Sequence, residues 1–318
     1  MELSDGTRGV RGRFHEPVMV REVLDALEGS AAGVILDGTV GGGGHSEAML
    51  VTWPRCRVLG VDRDPEALKA AAERLAPYSS RVRFLNMTFD RVVTDAHTSQ
   101  EGLNGALLDL GVSSWQLDQD HRGFAFRRGV DLDMRMEGAG QKRTAADLLN
   151  HGPEEELARV FREYGEEPRA RRLAREVVRR RQDRPFKNSD DLVAALGRTL
   201  NRSPGPKDIA RIFQALRITV NDELEALDRA LPGIRDLLHP GGVFAVIAYH
   251  SLEDRIVKDA FREWSRECVC PPGIPMCVCR GRALGSPLFK GPKRPSAGEI
   301  DGNPRARSAL LRAWRKAQ

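Results

Sequence analysis

The sequence predicts an α/β protein, a parallel sheet with covering helices that is interrupted by a helical insertion. Three observations predict it. Short apolar runs alternate with segments of helical period through the first third of the chain. A run of four glycines follows the first apolar run, where a parallel sheet turns into its first helix. A long stretch without a strand-like run, rich in Arg, Glu, Ala and Leu, then separates the fourth apolar run from the fifth.

The first strand is expected at residues 34–36, leading through Asp37, Gly38, Thr39 and Val40 into the glycines at 41–44. Residues 58–61 form a second strand ending in Asp62, residues 67–75 carry helical spacing, and residues 82–85 form a third strand. The fourth, at 106–108, ends in Asp109. The fifth, at 243–248, follows a turn at His239, Pro240, Gly241 and Gly242. Leu108 and Val243 stand 135 positions apart, whereas a right-handed crossover needs only a few tens of residues. The excess is read as an all-helical domain at 114–212, inserted into a sheet domain made of 1–113 and 213–318. Within it, Ala170, Leu173, Ala174 and Val177 form one apolar stripe while Arg covers the remaining surface. Helices at 207–220 and 223–231 return to the sheet, and 308–314 is a last strand.

With 318 residues, 41% of them hydrophobic and 30% charged, the chain can bury a core and is not a disordered polymer. Aromatics are only 6%, so aliphatic side chains must build most of that core. The longest apolar runs are strand length, and the opening residues have no apolar stretch behind a basic start. A membrane protein and a secreted one are therefore not expected, and a cytoplasmic location is. The net charge of +5 is unevenly placed. Residues 169–184 carry eight Arg against two acids, residues 280–318 carry ten Lys/Arg against two, and the remaining chain is acidic. Basic charge gathered on two segments is the footprint of a polyanion partner, and Arg favours phosphate because its planar fork binds two oxygens at once. The rival reading is a pair of solvated helix faces.

Cys56 stands alone; Cys268, Cys270, Cys277 and Cys279 form a cluster of two Cys-Val-Cys pairs. Four thiolates within twelve residues can close a tetrahedral zinc site, although C-x-C pairs are less typical than C-x2-C. A zinc staple and four free thiols both satisfy this pattern.

The glycine run lets backbone N–H groups approach a ligand, and Asp62 ends the next strand, where a carboxylate accepts from ribose hydroxyls. A dinucleotide fingerprint needs a third glycine, but Ser46 or Glu47 fills that slot. A nucleoside without phosphates, such as S-adenosylmethionine, needs the turn and the carboxylate only. Asp37 would repel a pyrophosphate and stabilise a cationic methionine end. Asp62 and Asp109 both end buried strands, where an idle carboxylate would be costly. His45 has a rival role as a helix cap and Phe89 one as plain core.

Several strings resemble the bacterial 16S rRNA cytosine-N4 methyltransferase family (RsmH, formerly MraW). They are DGTVGGGGHS at 37–46, VDRDP at 61–65, LLDLGVSSWQLD at 107–118, RGFAF at 122–126 and LDMRM at 132–136. YGEE at 164–167, FQALRITVNDEL at 213–224, HSLEDRIVK at 250–258 and NPRARSALLR at 303–312 continue the match, and HEPVM at 15–19 fits its opening. The resemblance implies a class I methyltransferase, Rossmann-like with a mostly parallel seven-stranded sheet, carrying an inserted all-helical domain. It implies S-adenosylmethionine as cofactor and, as partner, 16S rRNA in the small ribosomal subunit, methylated on one cytosine N4 of the decoding centre. By position it puts Gly43, Gly44 and His45 at the methionine end, Asp62 on the ribose and Phe89 against the adenine, with Asp109 and Gln116 completing the pocket. Many amino-methyltransferases orient their target with an Asp/Asn/Ser-Pro-Pro-aromatic motif after strand four. Here Asp109-Leu110-Gly111-Val112-Ser113 stands there instead, which leaves Asp109, Ser113 and His250 as candidates for the catalytic group. His250 also has a purely structural rival role. Residues 127–131 (RRGVD) depart from the Asp-Gly-Pro-like turn of the family. Two other classes stay open on the residues alone: a non-catalytic RNA-binding assembly factor and a nicotinamide oxidoreductase.

Overall fold

The computed structural model describes residues 17–318, apart from Ser114, Trp115, Asp118, Lys142, Pro272, Ile274, Pro275 and the side chain of Ala139. The expectations attached to His15, Glu16, Ser114, Trp115 and Asp118 lie outside the described residues.

Among the described residues, seven strands form one sheet: β1 (Val34–Asp37), β2 (Arg57–Asp62), β3 (Val82–Asn86), β4 (Leu103–Asp109), β5 (Leu238–Ala248), β6 (Gly285–Pro287) and β7 (Leu310–Lys316). Their order is β3-β2-β1-β4-β5-β7-β6. The first five run parallel, and β7 pairs antiparallel with β5 and β6. All four residues of β1 are buried, as befits a central parallel strand covered on both faces. The order reverses between β1 and β4, which makes the carboxyl ends of these neighbours the topological switch point where α/β sheets bind ligands.

Helices α1 (Val20–Leu27), α2 (Gly44–Thr52), α3 (Pro65–Arg74) and α4 (Ala96–Glu101) follow or precede the early strands. Helix starts have local causes. Asp64 accepts from the Glu66 N–H and Pro65 opens α3, while Asp95 accepts from the Thr98 N–H at α4. One face of the sheet packs on Val23, Leu27, Met49 and Leu50 of α1 and α2. The other packs on Leu227, Leu231 and Ile234 of α10 (Glu223–Leu237) and on Val257, Phe261 and Trp264 of α11 (Ser251–Trp264). Aromatic rings gather on that second face. The Trp264 and Trp314 rings meet edge to face at 5.2 Å, and Phe261 lies 5.5 Å from Trp264.

Between β4 and β5 stand α5 (Ala145–His151), α6 (Glu154–Glu163), α7 (Ala170–Asp183), α8 (Ser189–Leu200) and α9 (Pro206–Asn221), then α10. Leu148, Leu157, Phe161, Leu173, Val177, Phe186, Leu196 and Leu216 share a core separate from those of the sheet. The apolar stripe of α7 is buried as its spacing requires. Reciprocal capping boxes start α5 (Thr144 with Asp147) and α8 (Asn188 with Asp191). A short helix, α12 (Ala297–Gly302), precedes β7.

The turn expected at 239–242 is instead absorbed into β5. Leu238 pairs with Leu103, and pairing then resumes at Gly105 with Val243, so the intervening residues slip past the β4 register. No described helix is long and apolar enough to cross a membrane.

The helical core is tied to the sheet through Arg122, which is 7% exposed. Its guanidinium donates to Asp64 Oδ2 at 2.6 Å, Glu66 Oε2 at 2.8 Å and the Met136 carbonyl at 2.9 Å. Arg122→Ala would leave Asp64 buried without its cation and is expected to destabilise the protein by about 3 kcal/mol. A urea midpoint equal to that of the wild type would refute this account of the junction.

Candidate active site

At the end of β1 the chain leaves through Gly38, whose N–H donates to the Leu107 carbonyl of β4, and Val40, whose N–H donates to the Val61 carbonyl of β2. The loop is thus laid across the ends of both neighbouring strands. Gly41 (φ +50°) and Gly43 (φ +80°) take left-handed conformations that glycine adopts without strain. A Cβ on Gly43 would lie 3.3 Å from the Leu75 side chain. The turn closes on Asp62, whose Oδ2 accepts from the Gly41 N–H and Oδ1 from the Asp64 N–H, both at 2.9 Å. Each oxygen keeps a lone pair free, the arrangement needed to receive the two hydroxyls of a ribose.

These elements border a cavity of about 310 Å³, within the range of small-molecule sites. Gly44, His45, Asp62, Phe89, Asp109, Ser113 and Gln116 line it, so seven expected site residues come together. Gly43 does not: it packs against α3 while Gly41, Gly42 and Gly44 face the space. His250 does not either. It is the N-cap of α11, with Nε2 3.0 Å from Glu253 Oε1 and the Glu253 N–H directed at Nδ1 at 3.4 Å. Its neighbours Tyr249 and Glu253 reach the cavity in its place. His45 is no helix cap, because Gly43 holds that position.

The floor is acidic. Asp37, Asp62 and Asp109 end three adjacent parallel strands. Burial raises the Asp37 carboxyl above its ordinary range against the opposing bond from the Ser46 hydroxyl, and burial pushes Asp62 up to about 6. Asp109 Oδ1 accepts from the Tyr249 hydroxyl at 2.9 Å, and its Oδ2 lies 3.5 Å from His45 Nε2. Burial disfavours a charged His45 ring, yet Asp109 and then Asp37 together hold it above its ordinary range. Neither ring nitrogen of this buried histidine has a hydrogen-bond partner among the described residues. Burial and then the Asp109 charge push the Tyr249 phenol well up.

The walls differ. Phe89, Leu110, Ala226 and Leu227 form an apolar side fit for a planar base. Gln116 is pinned, its Nε2 donating to Asp64 Oδ2 at 2.9 Å and its Oε1 accepting from the Ser113 N–H at 3.0 Å. Arg217 of α9 and Glu223 of α10 complete the rim, joined by two hydrogen bonds of 2.9 and 2.8 Å. Asp62 with its free lone pairs, the apolar slot and the unsatisfied His45 fit S-adenosylmethionine. The Asp109 carboxylate on the lining fits its cationic end and would oppose a pyrophosphate.

The sheet order, the glycine turn and this cavity define a class I S-adenosylmethionine-dependent methyltransferase. Residues 12–317 match the MraW methylase family, and the chain belongs to that family. It is 51% identical to "Ribosomal RNA small subunit methyltransferase H" of Gemmatimonas aurantiaca, over 97% of either chain. It is 45% identical to the protein of that name from Symbiobacterium thermophilum, over 96% of this chain and 97% of the other.

Sequence reasoning missed Tyr249, Arg217, Glu223 and Glu253. Tyr249 had a findable signal, since it is the polar-tipped residue that directly follows the buried β5. The other three are helical residues whose convergence depends on how α9, α10 and α11 pack.

Asp62→Ala should weaken adenosylhomocysteine binding by about 1.5–3 kcal/mol, the worth of hydrogen bonds to a charged group, with little change in urea midpoint. Unchanged affinity by calorimetry would remove Asp62 from the site. Because ribose hydroxyls donate to the ionised carboxylate, affinity should hold above pH 6 and decline below it, with protons released on binding near pH 6. Asp62→Asn should flatten that dependence; a wild-type profile that is already flat from pH 7.5 to 5 would contradict the assignment.

Proposed function

We propose that this chain methylates the exocyclic N4 of one cytosine in the decoding centre, the P-site region, of 16S rRNA within the small ribosomal subunit, in the cytoplasm. The observation that carries the reading is the acidic cavity at the ends of β1, β2 and β4, with Asp109, Ser113 and Tyr249 among its lining. The names borne by relatives of nearly equal length support the substrate class.

Bound S-adenosylmethionine supplies a sulfonium methyl already activated for transfer. What remains for the protein is to orient the amine in line and accept a hydrogen bond or proton as that nitrogen becomes tetrahedral. In this reading Asp62 holds the ribose, Phe89 and Leu227 flank the adenine, and Gly44 and His45 meet the methionine end. Asp109 is the favoured acceptor for the amine N–H. Its carboxylate is positioned by the Tyr249 hydroxyl and by its own N–H on Thr39 Oγ1 at 2.6 Å. Ser113, whose Oγ accepts from the Gln116 N–H at 3.2 Å, is the second candidate. The engagement of His250 with Glu253 favours a role in starting α11 over one in catalysis.

The helical domain, 114–212, is assigned to the rRNA. Part of its basic face serves the fold: Arg180 pairs with Asp191 at 3.0 Å, and Arg181 donates to the Leu149 and Gly152 carbonyls. Arg171 and Arg175 are exposed on α7 and are the better phosphate contacts.

Incubation with labelled cofactor and undermethylated small subunits should place the label on cytosine N4, and Asp109→Asn should slow transfer about 100-fold or more. Cofactor binding without transfer would favour the assembly-factor reading, and label on another atom or base would overturn the N4 assignment. Reversing charge at Arg171 and Arg175 should lower the salt slope of rRNA binding by about one for each phosphate no longer neutralised. An unaltered slope would return this face to solvent.

A further inference from the structure

Outside the active site, the most concentrated reactive group is the cysteine cluster between α11 and β6. The four Sγ atoms of Cys268, Cys270, Cys277 and Cys279 lie within 4.8 Å of one another. The Cys277 sulfur is 3.4 Å from Cys279, 3.8 Å from Cys268 and 4.0 Å from Cys270, and Cys279 is 3.9 Å from Cys268. These separations bracket the edge of a tetrahedron whose corners stand about 2.3 Å from a central zinc, about 3.8 Å. No two sulfurs are bonded, and no pair stands apart from the rest as a disulfide partner would. An iron–sulfur cluster, with several irons and sulfides inside its ring of cysteines, needs wider spacing than this.

Met276 and Val278, within the loop, are 75% and 76% exposed, the most exposed large hydrophobic side chains among the described residues. Cys268 and Cys277 are themselves exposed. The base of the loop, in contrast, is firmly clipped. Arg280 donates to Glu263 Oε1 at 2.8 Å and to the Glu263 carbonyl at 2.6 Å at the end of α11, and the Leu284 N–H donates to the Trp264 carbonyl at 2.8 Å. The Val269 N–H points at Cys279 Sγ at 3.3 Å, the kind of outer hydrogen bond that stabilises a metal-bound thiolate.

We propose that Cys268, Cys270, Cys277 and Cys279 bind a single zinc ion as a closed tetrahedral all-thiolate site. The ion acts as a structural staple: it supplies to an exposed loop the cohesion that a hydrophobic core supplies elsewhere, and all four of its positions are filled, leaving none for substrate. Binding four thiols as thiolates releases up to four protons to solvent, and no electron transfer is involved. The site is independent of the reaction proposed for the cavity.

The test is metal analysis of the full chain, expressed in zinc-supplemented medium without a metal-binding tag and purified under reductant. About one zinc per chain is expected, falling below about a tenth in Cys268→Ser/Cys277→Ser. That variant should still bind adenosylhomocysteine, which shows that it is folded. Should it fail to fold, the wild type decides alone. Exchange with cobalt(II) should then give the strong visible bands and sulfur-to-metal charge transfer of a tetrahedral thiolate site. Purified wild type that holds little metal and takes up neither zinc nor cobalt under reductant would overturn the proposal. Stoichiometric iron in place of zinc would overturn the identity of the ion.

Discussion

The active site depends on one constraint: carboxylates that end buried parallel strands must find partners or stay poorly solvated. Asp62 is the clearest case. Its strand is covered on both sides, burial lifts its carboxyl to about 6, and two backbone N–H groups satisfy only half of its capacity. The Gly41 donor comes from the glycine turn, so the same contact that holds the carboxylate also shapes the cavity wall. The site is therefore preorganised by the fold's own hydrogen bonding, and the residual acceptor capacity is what a ribose would fill.

Two residues further on, Asp64 serves the opposite purpose. It caps α3 through Oδ1, while Oδ2 accepts both from Gln116 and from the Arg122 guanidinium. Arg122 and Gln116 both belong to the chain between β4 and the helical core. Asn221 at the end of α9 reinforces this junction, donating to the Met134 carbonyl and accepting from the Met136 N–H. The end of β2 and the helical unit thus share a buried polar seam that fixes the cavity relative to the helical core.

The architecture was legible because it is written in local signals: buried strands as continuous apolar runs, α7 as a stripe at helical spacing, and the glycine turn as composition. Asp62 and Asp109 were legible because a carboxylate ending a buried strand is costly without a purpose. Gly43 and His250 show the limit. Both sit beside residues that line the cavity, and a one-residue change of direction, set by the left-handed turn at Gly43 and by the cap of α11 at His250, points them elsewhere. Tyr249, Arg217, Glu223 and Glu253 arrive from elements distant in sequence from the glycine turn, and their meeting is decided by packing. The slip of β5 past β4 likewise reflects pairing with Leu103, a long-range contact that local turn chemistry at Pro240 and Gly241 does not report.

The most direct test of the central claim is a crystal of this protein soaked with adenosylhomocysteine. Density for the nucleoside in the β1–β4 crevice is predicted, with both ribose hydroxyls within hydrogen-bond distance of the Asp62 carboxylate and the adenine against Phe89. A crevice left empty at saturating ligand, or a nucleoside bound with Asp62 turned away from it, would contradict the account.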